Sequence, residues 1–109
     1  MKANALVQVL GSVYHQDLAK FTELKTRLAA LEGKRAELLL PPKRDPGALN
    51  SLEFSTAASK YLSWRQSEAR KISRMIFELK PEVITAKKIV TKSFGRLEAM
   101  KELIARGKI

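Results

Sequence analysis

Cysteine is absent from this 109-residue chain, which excludes disulfide bonds and thiolate metal sites. Five glycines and 6% aromatic residues are too few for a β-sandwich or a β-barrel. The only histidine is His15, and no nucleophile–base set, metal-ligand cluster or glycine-rich phosphate loop accompanies it. We therefore expect neither an enzyme nor a bound metal or cofactor.

More than half of the chain consists of Ala, Leu, Lys, Arg, Glu, Ile and Val, which is the composition of long helices. Hydrophobic residues make up 45% of the chain, enough for a packed core. No run approaches the roughly 20 apolar residues that a membrane-spanning helix needs. The length indicates one helical domain over residues 1–109, and the lack of cysteine fits a reducing cytosol, so we expect a cytoplasmic protein.

Apolar residues recur at alternating intervals of three and four along both halves of the chain, which is the pattern of a heptad seam. The first seam consists of Val7, Leu10, Tyr14, Asp17, Phe21, Leu24, Leu28, Leu31, Arg35 and Leu38. The second seam consists of Ala58, Leu62, Arg65, Ala69, Ile72, Ile76, Leu79, Val83, Ala86, Val90, Ser93, Leu97, Met100 and Ile104. Polar side chains at seam positions lower stability but fix the register of the helices.

The two seams are separated by the stretch PPKRDPGALNS at residues 41–51. Pro41 and Pro42 cannot continue the first helix, and Asn50 or Ser51 can cap the second. A stretch of about ten residues suffices to reverse the chain direction. We predict an all-α fold, an antiparallel two-helix coiled-coil hairpin with a helix at 3–40, a loop at 41–51 and a longer helix at 52–107.

The position of the bend predicts which part of the longer helix the first helix can cover. A bend centred near residue 46 places Leu10 opposite Glu82. It leaves a C-terminal apolar stripe uncovered, which comprises Val90, Phe94, Leu97, Met100 and Ile104. Such a stripe would bind a partner protein or pair with a second copy of the chain in a homodimer.

Pro81 decides between two forms of the second helix, because a proline inside a helix removes a hydrogen bond and bends or breaks the helix. In FELKPEVITAKK no Ser, Thr, Asp, Asn or Gly lies directly before Pro81 to form a turn or a cap, which favours a kink. The alternative is a break after which residues 82–107 fold back as a third helix, and this predicts a three-helix bundle.

The net charge is +10 and grows towards the C-terminus, from +2 over residues 1–40 to +4 over residues 81–109. It predicts an acidic partner, which is a protein surface, a nucleic acid or an anionic membrane. The stretch AKKIVTKSFGR carries a basic set consisting of Lys87, Lys88, Lys92 and Arg96. Zinc-finger spacing, basic-zipper order and an aromatic stacking platform are not evident, so a nucleic-acid-binding module is the alternative function.

The stretch SKYLSWRQSEARKI places Tyr61 and Trp64 three residues apart on one helix face, directly after the bend. Trp64 is the only tryptophan and lies off the second seam. An aromatic pair in this place either anchors another protein or packs under the proline-rich loop, and the sequence leaves both readings open.

The segment ASKYLSWRQSEARKISRMI combines an aromatic–aliphatic pair with a heptad run of Arg, Gln and small residues. With the short, basic, cysteine-free hairpin layout, it resembles the FliJ-type stalk proteins of bacterial flagellar export and their counterparts in virulence type III secretion. The resemblance covers the whole chain in architecture and residues 58–76 in sequence. It implies a non-enzymatic stalk or adaptor in protein transport, because such proteins sit in the central hole of a hexameric ATPase and touch the export gate protein.

Two contact regions follow from this resemblance. The basic part of the second helix would face the ATPase with Lys87, Lys88, Lys92, Arg96 and Lys101. Tyr61 and Trp64 would be candidates for the contact with the export gate. Phe94 of the uncovered stripe completes the candidate partner-binding residues.

Overall fold

The computed structural model describes residues 2–40 and 52–107, with side chains from residue 56 onward in the second range. It contains two helices, α1 over Lys2–Leu39 and α2 over Leu52–Ala105. The predicted all-α, two-helix fold is thus confirmed, whereas the loop predicted at 41–51 lies outside the described residues. Within the described ranges, neither helix has a stretch long and apolar enough to cross a membrane.

The heptad seams form the packed faces of both helices. Every member of the first seam is buried or half-buried, whereas the neighbouring Lys20 and Lys25 are exposed. The second seam is likewise buried or half-buried, apart from Leu62, which is 40% exposed. The most buried apolar side chains are Leu24, Ala69, Ile72, Ile76, Leu79, Ala86 and Leu97. Because apolar residues at this spacing share one helix face, the heptad pattern by itself accounts for the core.

Contacts within the chain divide it into two compact units. The terminal unit comprises Met1–Arg27 and Leu79–Ile109, and the central unit comprises Leu28–Glu78. The terminal unit carries twelve Lys and Arg against five Asp and Glu, a net charge of +7. The central unit carries nine against six, a net charge of +3. Most of the positive charge therefore belongs to the terminal unit.

Pairing of α1 with α2 in the terminal unit is antiparallel. Ser93 Oγ donates a hydrogen bond to Asp17 Oδ2, and the ring centroids of Tyr14 and Phe94 lie 5.6 Å apart. Asp17 thus lies opposite Ser93. The predicted register, with Leu10 opposite Glu82, is wrong.

The register differs from the prediction because α2 begins beyond the end of α1 in the central unit. Arg65 Nη2 donates a hydrogen bond to the backbone oxygen of Glu37 at 2.7 Å, and another to that of Leu40. Arg65, rather than the first turn of α2, therefore lies at the C-terminal end of α1. The prediction assumed a bend midway between the helix ends, and heptad periodicity does not specify which turn of one helix lies beside which turn of the other.

The C-terminal stripe of α2 is covered, which also corrects the prediction. Leu97 is 6% exposed, and Val90, Met100 and Ile104 are half-buried. Phe94 keeps 48% of its surface exposed while its ring contacts Tyr14 at a tilt of 49°. The stripe therefore packs within the terminal unit, and no long apolar face of it projects for a partner.

Helix α2 runs through Pro81 without a break, so the three-helix alternative is wrong. Pro81 lacks the amide hydrogen that would bond to the carbonyl of Phe77, four residues earlier. Both Pro81 and Phe77 are exposed, Phe77 at 79%. Since water can reach this side of the helix, it can solvate the freed carbonyl and lower the cost of the missing bond.

Candidate docking surface

The basic set lies on α2 in the terminal unit. All four of its side chains are exposed. None of the ion pairs found among residues 2–40 and 52–107 involves a member of the set. Lys88 and Lys92 are one helical turn apart, and so are Lys92 and Arg96, so their charges face solvent on neighbouring turns. This stretch therefore presents positive charge that its own helix does not neutralise.

Lys101 differs from the basic set although the resemblance groups it there. Its Nζ lies 3.6 Å from Glu98 Oε1, and the nearby Arg106 pairs with Glu102. These cations are balanced by carboxylates one turn away on the same helix. Lys101 consequently adds less positive potential to the surface than the four members of the basic set.

Apolar side chains lie among these cations along α2. Ile84 is 57% exposed, Ile89 is 46% exposed and Phe94 is 48% exposed. We call these three residues together with the basic set the basic surface. Unpaired cations interspersed with open apolar groups suit an acidic protein surface that also offers apolar contacts.

Tyr61 and Trp64 belong to the central unit, whereas the basic surface belongs to the terminal unit. Their ring centroids are 6.0 Å apart and their planes differ by 22°, so the rings are stacked. Tyr61 is 52% exposed and Trp64 is 53% exposed. The pair is therefore a stacked aromatic surface that is half open to solvent.

Arg65 anchors this aromatic pair. Its guanidinium carbon lies 5.6 Å from the ring centroid of Tyr61, although the residue as a whole is only 7% exposed. Its hydrogen bonds to the carbonyls of Glu37 and Leu40 satisfy backbone acceptors at the C-terminal end of α1. A guanidinium fixed by two backbone acceptors also holds the ring that it faces.

Comparison with protein-family models, with curated proteins and with solved structures finds no match to this chain.

Sequence reasoning missed the role of Arg65. In the sequence this residue is a polar member of the second seam, one position after Trp64. Its acceptors are backbone carbonyls of α1. Every residue has a backbone carbonyl, so the sequence does not indicate which ones accept these hydrogen bonds. The available signal was an arginine at a position that the heptad pattern buries, because a buried guanidinium needs hydrogen-bond acceptors.

A groove of about 450 Å³ also lies in the terminal unit, between the α1 segment 17–27 and the α2 segment 81–89. Its charged lining residues are Asp17, Lys20, Arg27 and Glu82. The two signs balance, so the groove does not extend the positive potential of the basic surface.

Proposed function

We propose that this chain is a non-enzymatic coiled-coil stalk or adaptor that docks its basic surface on an acidic protein assembly. The observation that carries this proposal is the basic set, whose four exposed cations have no acidic partner among the described residues. Such charge steers association with an acidic partner and disfavours partners of like charge. Because the two seams pack within the hairpin, docking uses the outer faces of the helices.

The specific version that we propose is a stalk in a bacterial protein-export ATPase complex, of the flagellar or the type III secretion kind. Support comes from the resemblance of residues 58–76 and from the two-helix architecture. In this version the basic surface contacts the ATPase, and Tyr61 and Trp64 contact the export gate. A homodimer is disfavoured at the terminal unit, because each copy would bring a net charge of +7 to the interface.

The proposal is tested by measuring the binding of the full chain to a hexameric export ATPase, with biolayer interferometry at low salt. The variant carries Lys88→Glu, Lys92→Glu and Arg96→Glu. We expect its affinity to fall about tenfold or more, because three attractive charges become repulsive. Its circular dichroism should match the wild type, since all three side chains are exposed.

A matched control carries Arg70→Glu, Lys71→Glu and Arg74→Glu, which are exposed positions on the same helix in the central unit. It makes the same change in net charge and should bind nearly as well as the wild type. Equal losses in the two triple variants would show that net charge, not the basic surface, drives binding. A wild-type chain that does not bind the ATPase would reject the export-stalk version.

A further inference from the structure

The aromatic pair of the central unit is both open and fixed in place. Trp64 stacks on Tyr61, Arg65 faces the Tyr61 ring, and the Arg65 guanidinium is buried and bonded to α1. About half of each aromatic side chain nevertheless remains exposed. An exposed aromatic surface that is already ordered loses little conformational freedom when a planar group stacks on it.

Positive charge lies along the same helix as this pair. From residue 60 to residue 74, α2 carries five cations and one acid, and three of these cations, Lys60, Arg70 and Arg74, are exposed and outside the ion pairs of the described residues. The acid, Glu68, is paired with Lys71 at 3.1 Å, so its charge is already compensated. Lys60 lies one turn before Trp64 on the same helix face, about 6 Å along the axis. The surroundings of the ring pair therefore attract an anion.

We propose that Tyr61 and Trp64 form a stacking platform for single-stranded nucleic acid. An unpaired base supplies the planar face that stacks on an aromatic ring, and the linked phosphates supply the negative charge that the exposed Lys60, Arg70 and Arg74 attract. An acidic peptide supplies negative charge but no planar base that could stack on the rings. The bases of a duplex stack on one another and cannot reach the platform. Because the platform and the basic surface belong to different units, this activity is separate from the docking of the basic surface on the ATPase. The export-gate contact proposed above would use the same two rings and would compete with it.

Trp64 is the only tryptophan, so its emission reports on this site alone. The full chain is titrated with a fluorescein-labelled oligothymidylate of about 20 nucleotides, longer than the span that one stacking module covers. Trp64 emission and label anisotropy are followed together at about 100 mM salt. We expect saturable quenching that parallels the rise in anisotropy, and an affinity that falls as salt is raised.

Two variants separate stacking from charge. Trp64→Leu removes the ring but keeps a good helix former, and should weaken binding about 5- to 100-fold in the anisotropy titration. The slope of log affinity against log salt should stay unchanged, because the ring carries no charge. Lys60→Gln should instead reduce that slope by about 0.7, the value for one phosphate contact on a single strand.

Phe77→Leu is the matched control, since Phe77 is an aromatic residue of the same helix and unit with 79% of its surface exposed. It should change the affinity less than about twofold. Anisotropy that rises without quenching of Trp64 would overturn the proposal, as would equal losses for Trp64→Leu and Phe77→Leu. Equal binding and quenching by duplex or by polyglutamate would overturn it as well, and so would no binding of the oligothymidylate.

Discussion

Polar side chains interrupt the apolar seams of both helices, and several of them bond across the hairpin. Asp17 accepts from Ser93 in the terminal unit, and Arg65 donates to α1 carbonyls in the central unit. A shift of α2 by one heptad would place Ala86 or Met100 opposite Asp17, and neither side chain offers a hydrogen-bond donor. An apolar seam alone tolerates such a shift, so these polar contacts select the observed register.

This interpretation predicts an energetic coupling between Asp17 and Ser93. Asp17→Ala leaves the hydroxyl of Ser93, which is 6% exposed, without its acceptor, so it should lower the free energy of unfolding by about 1–3 kcal/mol. Ser93→Ala should cost less, because the half-buried carboxylate of Asp17 can still be hydrated. In a double-mutant cycle followed by urea unfolding, we expect a coupling of about 1 kcal/mol.

Ser12, an exposed residue on α1 of the same unit, supplies the control for this cycle. The pair Asp17→Ala and Ser12→Ala should be additive within about 0.5 kcal/mol. If the cycle of Asp17 with Ser93 were equally additive, their hydrogen bond would not contribute to the choice of register.

At the scale of the helices, the inward-facing residues could be predicted and the register could not. The burial of Ile76 and Leu97 follows from a period that can be read along one helix. The residue opposite Asp17 depends instead on how far α2 extends past the end of α1. Contacts between the two helices determine that distance, and the period along one helix does not. The same limit applies to the candidate site. Tyr61 and Trp64 could be selected from their spacing in the sequence, but their contact with the buried Arg65 could not be predicted.

Pro81 is the one proline among the described residues of α2, and its removal should stabilise the helix. A proline in a helix interior costs about 3 kcal/mol relative to alanine, and its exposed ring contributes little packing here. We expect Pro81→Ala to raise the free energy of unfolding by about 1–3 kcal/mol in urea titrations.

The neighbouring Lys80→Ala serves as the control, since Lys80 is exposed and lysine and alanine differ little in helix propensity. It should stay within about 0.5 kcal/mol of the wild type. A loss of stability in Pro81→Ala would mean that the packed hairpin depends on the local geometry that the proline imposes.

At the scale of the whole molecule, the basic surface and the stacked aromatic pair belong to different units. The terminal unit holds the larger share of positive charge and the basic surface, whereas the central unit holds the stacked rings. Docking of the basic surface on the ATPase and stacking of a base on Trp64 are therefore independent of each other. Loss of ATPase binding in the basic-surface variant and loss of base stacking in Trp64→Leu should occur separately.

The excess of positive charge should also make stability depend on salt. Like charges repel one another in the folded chain, and salt screens them over a Debye length of about 10 Å at 0.1 M. Salt also weakens the four ion pairs of the described helices, but these lie at the surface, within one helical turn, and each is worth only about 0.3–0.5 kcal/mol. We therefore expect the free energy of unfolding to rise between about 20 mM and 300 mM NaCl.

The variant with Lys88→Glu, Lys92→Glu and Arg96→Glu distinguishes repulsion from a general effect of salt. Three reversals remove six units of charge and reduce the net charge from +10 to +4. If repulsion within the chain causes the salt dependence, the variant should be more stable than the wild type at low salt and should gain less from added NaCl. If both proteins gain equally, the effect comes from screening or ion binding that does not involve the basic set. A wild type that loses stability as salt rises would show that attraction between opposite charges in the chain outweighs the repulsion. The terminal unit would then have less free positive charge for an acidic partner than its composition indicates.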